Sequence, residues 1–159
     1  MAKTYLYILL FFITLRGFGM SLNSHTKRNY RDSLLVLVKQ IELNSCTSKN
    51  LLLFCIPRNS KETLMFCNLD YKKNKKYSKI FYKINQFWEK QCIINSSEFL
   101  PIYMEYSSFV DGYFAEDYFI CLKRIFHKKK DSFMKILNDC KKEKVKRIYL
   151  HFREIDLIK

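Results

Sequence analysis

Glycine and proline are scarce in this chain of 159 residues, with three and two respectively, and tryptophan occurs once. Two of the glycines, Gly17 and Gly19, fall within the first nineteen residues, so everything beyond carries only Gly112, with Pro57 and Pro101. Tight turns lean on Gly, Pro and Asn-Gly pairs, so a chain this poor in them argues against sandwiches and barrels and for long helices with few connections. The same scarcity excludes the glycine-rich loops that cradle nucleotide phosphates, which need two or three glycines for close backbone approach. His-Glu-x-x-His, Gly-x-Ser-x-Gly and nucleophilic-cysteine signatures are also missing, and the three histidines, His25, His127 and His151, are far apart. We therefore expect no enzyme, no cofactor and no metal centre.

What the chain does have begins at the N-terminus. Lys3 precedes an apolar run from Tyr5 to Leu15, closed by Arg16-Gly17-Phe18-Gly19. A basic start, a short apolar stretch and small residues one and three before a cut after Gly19 form the layout of a secretory signal peptide over residues 1–19. The run is well short of the roughly 20 apolar residues that span a bilayer, and no later stretch supplies a membrane span. The expected mature chain is one domain, 20–159, secreted to the extracellular space.

Six cysteines, Cys46, Cys55, Cys67, Cys92, Cys121 and Cys140, are an even number in a chain directed to an oxidising route, and three disulfides are expected. Fifteen connectivities are open. The close pairs of a zinc site are absent from this spacing.

Helical periodicity organises the rest. Tyr30, Leu34, Leu37, Val38 and Ile41 form one apolar stripe, predicting a first helix over 29–43. Residues 45–69 hold three cysteines and Pro57 and read as a long, disulfide-tied connection with a helical turn at 61–66. Tyr77, Ile80, Phe81, Ile84, Phe87 and Trp88 mark a second helix between Asp70 and Lys90. Ile102, Tyr106, Phe109, Val110 and Tyr113 mark a third, starting near Pro101. The fourth runs from Asp117 through Tyr118, Leu122, Ile125 and Phe126, past Lys128-Lys129-Lys130-Asp131, to Phe133, Ile136, Leu137 and Cys140. Val145, Ile148, Tyr149 and Phe152 keep the spacing in a basic C-terminal extension, 141–159, which is either a continuation or a tail. The fold class expected is all-α: a short-chain four-helix bundle, up-up-down-down and stapled by disulfides, with two long connections.

Several fragments resemble the interleukin-7 family of short-chain four-helix cytokines. The run from Tyr30 to Ile41 is similar to that family's first helix in its Tyr, Leu, Val and Gln placements. Lys83-Ile84-Asn85-Gln86-Phe87 is similar to its Lys-Leu-Arg-Gln-Phe, and a glycosylation sequon, Asn95-Ser96-Ser97, follows at a like place. Leu122-Lys123-Arg124-Ile125 and Lys135-Ile136-Leu137 resemble its Leu-Lys-Arg-Leu and Lys-Ile-Leu, at the same separation. These fragments cover about a third of the mature chain. The chain departs from the family at Ser132, which stands where the last family cysteine would be, in lacking a cysteine before the first helix, and at Cys55 and Cys140.

The resemblance implies a monomeric cytokine or growth factor that brings together a receptor α subunit and the common γ subunit on lymphoid cells. It implies receptor contacts at Gln40 on the first helix and at Phe133, the aromatic beside the last family cysteine. The alternatives kept open are another short-chain helical cytokine and a basic host-defence protein acting on membranes.

The charge adds a second partner. The chain carries 29 basic and 15 acidic residues, net +14. Outside a cell this points to heparan sulfate, with Lys72, Lys73, Lys75 and Lys76 as one candidate patch, Lys128, Lys129 and Lys130 as a second and the run from Lys141 to Arg147 as a third. Nucleic acid is disfavoured by compartment. Asn95 is the expected N-glycosylation site, and Lys144-Val145-Lys146-Arg147 has the look of a basic processing site.

Overall fold

The computed structural model describes residues 29–71 and 75–154, and these form eight helices with no strand among them. The expected signal peptide, residues 1–19, and Lys72 and Lys73 lie outside the described residues, as do the side chains of Lys75 and Lys76. The all-α expectation holds. In chain order the helices are α1 (Tyr30–Glu42), α2 (Lys49–Phe54), α3 (Ser60–Tyr71), α4 (Lys75–Ile94), α5 (Ser96–Tyr106), α6 (Tyr113–Lys128), α7 (Lys130–Asp139) and α8 (Lys142–Glu154).

Helix α1 begins where Asn29 accepts a hydrogen bond from the Asp32 N–H at 3.3 Å, satisfying one of the donors that every helix start leaves open. It ends in a Schellman motif. Asn44 takes the left-handed φ of 50°, its N–H bonds Ile41 O at 3.2 Å, and the Ser45 N–H reaches back to Gln40 O at 2.9 Å. All five residues of the apolar stripe, Tyr30, Leu34, Leu37, Val38 and Ile41, are buried.

The stretch read as a long connection contains two helices. Ser48 caps α2 through the Leu51 N–H at 3.2 Å. The carbonyls that a helix end leaves open are taken up by buried aromatics: Trp88 Nε1 donates to Leu52 O at 2.9 Å and Tyr30 Oη to Cys55 O at 3.0 Å. At the start of α3, Asn59 Oδ1 accepts from the Glu62 N–H at 3.0 Å while Glu62 Oε2 accepts from the Arg58 N–H at 2.8 Å, a reciprocal pairing close to a capping box.

Helix α4 is the axis of the molecule. Ile80, Phe81, Ile84, Trp88 and Cys92 are buried on one face, and Phe66 of α3 lies 4.7 Å from the rings of both Phe81 and Trp88. Only Asn95 separates α4 from α5, its carbonyl accepting from Glu98 N and Phe99 N at 3.1 and 3.0 Å. The third helix therefore starts at Ser96, not near Pro101, which sits inside it. Phe99, Leu100, Tyr103 and Met104, all fully buried, hold the helix across the proline's missing donor.

The fourth expected helix is two. Lys129, with φ −140° and ψ 42°, interrupts it, and the chain resumes as α7. The ring of Phe133 is then edge-on to Phe126 at 5.3 Å and stacked on Phe152 at 5.3 Å. The C-terminal stretch 142–154 is a helix of the core: Val145, Ile148 and Phe152 have no exposed surface, Tyr149 Oη donates to Leu137 O at 3.1 Å, and Arg147 donates to Val110 O and Ser107 O. The basic run around Lys144 thus lies within a packed helix, not on an extended tail.

The up-up-down-down arrangement is also corrected. It requires the second and fourth principal helices to run in opposite senses. Phe81 of α4 meets Phe114 of α6 at 5.4 Å, and Glu89, eight residues further along α4, pairs with Arg124, ten residues further along α6. Two contacts that advance together along both helices fix the same sense for α4 and α6. The connection 107–112 returns the chain directly from α5 to α6, without the long crossover the expected topology needs.

Candidate receptor-binding surface

A protein that acts by docking must show apolar surface that its own core leaves uncovered. On α1, Leu35, Val36 and Leu43 lie off the buried stripe and are 55, 49 and 68% exposed, interleaved with exposed Asp32 and Lys39. This apolar surface continues onto α3 through a groove of about 340 Å³ lined by Arg31, Leu34, Leu35, Met65, Asn68 and Leu69. Beyond it Leu64 stands 62% exposed. A second cleft, of about 440 Å³, opens between α3 and the start of α6, with Leu64, Cys67, Phe109 and Phe114 on its walls. Among the described residues Arg31 is the one cation lining either cleft, in a chain with 29 basic residues. Isolated exposed apolar residues are ordinary, whereas runs of them bordering clefts mark interaction sites.

The two residues carried over from the family resemblance do not sit on this surface as outward contacts. Gln40 is half-buried, its Oε1 is shut off from solvent without a hydrogen-bond partner, and its main-chain carbonyl accepts from Ser45. Phe133 has no exposed surface and packs between Phe126 and Phe152, so in this fold it is core and not a direct contact. The exposed neighbours Leu35, Val36 and Leu43 were missed. Their signal was present as apolar residues that break the periodicity of an otherwise well-ordered stripe.

The structure contains no disulfide among the six cysteines, where three were expected. Cys55, Cys67, Cys92 and Cys121 are buried, Cys140 is half-buried and Cys46 is exposed. Burial, with the neighbouring Cys121 and Glu89 adding to it, pushes the Cys92 thiol far above its ordinary range. Cys121 is pushed up to about 11 by burial, against the opposing pull of Arg124. Both are packed as small apolar side chains, not poised as nucleophiles. Arg124 bridges the two helices that carry them, forked onto Glu89 at 2.7 and 3.1 Å and with Nη2 3.2 Å from Cys121 Sγ.

Asn95 is half-buried at the α4–α5 joint and donates to Gln91 Oε1 at 2.6 Å, with Ser97 exposed. The sequon therefore lies at a one-residue joint between helices, not in the open loop expected. Lys128 and Lys130 are exposed and Lys129 half-buried around the α6–α7 break, and Lys130 Nζ lies 6.0 Å above the Phe126 ring. No group of three His, Cys, Asp or Glu side chains able to hold a metal ion occurs among the described residues, and no described helix is long and apolar enough to cross a membrane. No protein-family model, curated protein or solved structure matches the chain.

His151 lies on α8 and is half-buried. Its ring stacks on Phe119 at 4.2 Å and its Nε2 is buried without a partner. Desolvation, with Lys123 adding to it and Glu154 opposing, lowers its pKa below the ordinary value of 6.5. The unfolded chain then binds more protons than the folded one between the two pKa values, so stability rises with pH across that interval. Urea titrations between pH 5 and 7.5 are expected to show stability falling as pH drops below about 6.5. The slope should flatten in His151→Gln; an unchanged slope would assign it to other groups.

Proposed function

We propose that the chain is a secreted helical signalling protein that acts by binding cell-surface receptor subunits, with the interleukin-7 receptor α subunit and the common γ subunit as the first candidates. The observation that carries this reading is the outer face of α1. Leu35, Val36 and Leu43 leave apolar surface uncovered beside a groove shared with α3, on the helix whose sequence bears the longest resemblance to that family. The signal-peptide layout of residues 1–19 supports secretion. Because α4 and α6 run in the same sense, the proposal rests on this surface and on the sequence fragments, not on a shared bundle topology.

The protein secreted by a mammalian cell line should bind the immobilised interleukin-7 receptor α ectodomain saturably in surface plasmon resonance. Leu35→Asp with Leu43→Asp, both exposed, should weaken binding at least tenfold, about 1.4 kcal/mol, while leaving the circular dichroism melt in place. Gln40→Ala, which removes a half-buried amide, should have the smaller effect. If the folded protein binds neither this ectodomain nor that of the common γ subunit, these receptors are the wrong ones, and the receptors of other short-chain cytokines become the test set.

A further inference from the structure

We infer that the open groove between α4 and α6 is a binding site for a sulfated polysaccharide, held between Lys90 on one bank and Lys128 on the other. The groove, of about 620 Å³, is lined by Gln86, Glu89, Lys90, Ile93, Ile94, Arg124 and Lys128. It exists because the two helices run side by side in the same sense, which brings the basic end of α6 against the last turns of α4. Its one carboxylate, Glu89, is neutralised by the forked pair with Arg124 at 2.7 Å, so the charges left are Lys90 and Lys128, both exposed and neither with an acidic partner among the described residues.

The basic character extends along α4. Lys79, Lys83, Gln86 and Lys90 fall within a narrow arc of the helix on the face opposite Phe81, Ile84 and Trp88, and all four are exposed. At 1.5 Å per residue, Lys79 to Lys90 spans about 16 Å, which suits an extended polyanion better than a single phosphate. Lys79, Lys83 and Lys90 belong to none of the three basic runs that stand out in the sequence, whereas Lys128 belongs to the second.

The floor of the groove favours one kind of polyanion. Ile93 and Ile94, the latter 60% exposed, offer apolar surface to the C–H faces of sugar rings. No aromatic side chain lines it, so it lacks the stacking platform on which single-stranded nucleic acids rely. A trough with cations on its banks also differs from the protruding apolar face with which amphipathic helices enter a membrane.

The inference rests on the secreted placement proposed above, but the two can fail separately, since retention on heparin needs no receptor and receptor binding needs none of these lysines. The experiment measures binding of a heparin oligosaccharide by calorimetry across a salt series. It compares the unaltered protein with Lys90→Ala/Lys128→Ala and with Lys61→Ala/Lys146→Ala, which removes the same charge from exposed positions elsewhere. A groove site predicts a loss of roughly tenfold or more, and a salt slope lower by about 2, in the first variant alone. Equal losses in both variants would overturn it in favour of diffuse attraction by net charge. Tighter binding to duplex DNA, or to vesicles containing phosphatidylserine, than to heparin at the same salt would overturn the choice of ligand.

Discussion

Replacing Phe133 by alanine is expected to destabilise the protein by about 3–5 kcal/mol, as large aromatic-to-alanine changes in packed cores do. The ring has no exposed surface and touches Phe126 edge-on and Phe152 face-on, so its removal opens a cavity where α6, α7 and α8 meet. The neighbouring rings cannot collapse into it, because Phe126 and Phe152 already contact each other at 5.5 Å. Urea denaturation would read the loss as a lower midpoint with an unchanged slope. Phe133→Leu separates stability from recognition: it keeps most of the apolar volume, so the folded variant should bind any receptor as the parent does. A fully stable Phe133→Leu that loses receptor binding would restore the residue as a contact and place this region of the fold in doubt.

Phe133 also shows what sequence periodicity can and cannot report. Spacing at three and four residues says which face of a helix is buried, and for α1 it named all five core residues. It does not say what covers that face. From Phe126 to Phe133 is seven residues, two helical turns, so the apolar phase passes through the interruption at Lys129 unchanged and the break is invisible. For the same reason the relative sense of α4 and α6 was not legible, since a stripe has no direction. The helices α2 and α3 were hidden differently. One is only six residues long, and the other is apolar on several sides, with Leu64, Met65, Phe66 and Leu69 on different faces. Their caps, Ser48 and the Asn59 to Glu62 spacing, were the readable signal.

The candidate surface was legible in part. Apolar residues off the stripe, Leu35, Val36 and Leu43, are in the sequence as plainly as those on it, but only the packed structure shows that no other helix claims them. The lysine groove needed more still. Lys90 and Lys128 are 38 residues apart and become neighbours only through the shared direction of two helices. Runs of consecutive lysines are what stands out in a sequence, whereas the fold gathers lysines spaced along a helix face.

A chain ending at Cys140 is expected not to fold cooperatively. Helix α8 contributes Val145, Ile148 and Phe152, each without exposed surface; at about 1.5–3 kcal/mol for each fully buried side chain, their loss is roughly 5–9 kcal/mol. Whole domains are stable by only about 5–15 kcal/mol. Truncation would also uncover Phe126 and Phe133 and strip the Arg147 donors from Ser107 O and Val110 O. The truncated protein should therefore show no sharp thermal transition and should bind a hydrophobic dye that the full chain ignores. Cleavage within Lys144-Val145-Lys146-Arg147 would meet the same barrier, because Val145 is buried and the segment is helical, and a protease needs an extended strand. A truncated chain that melts sharply at the parent's temperature would make α8 a removable appendage, and the basic run a processing site after all.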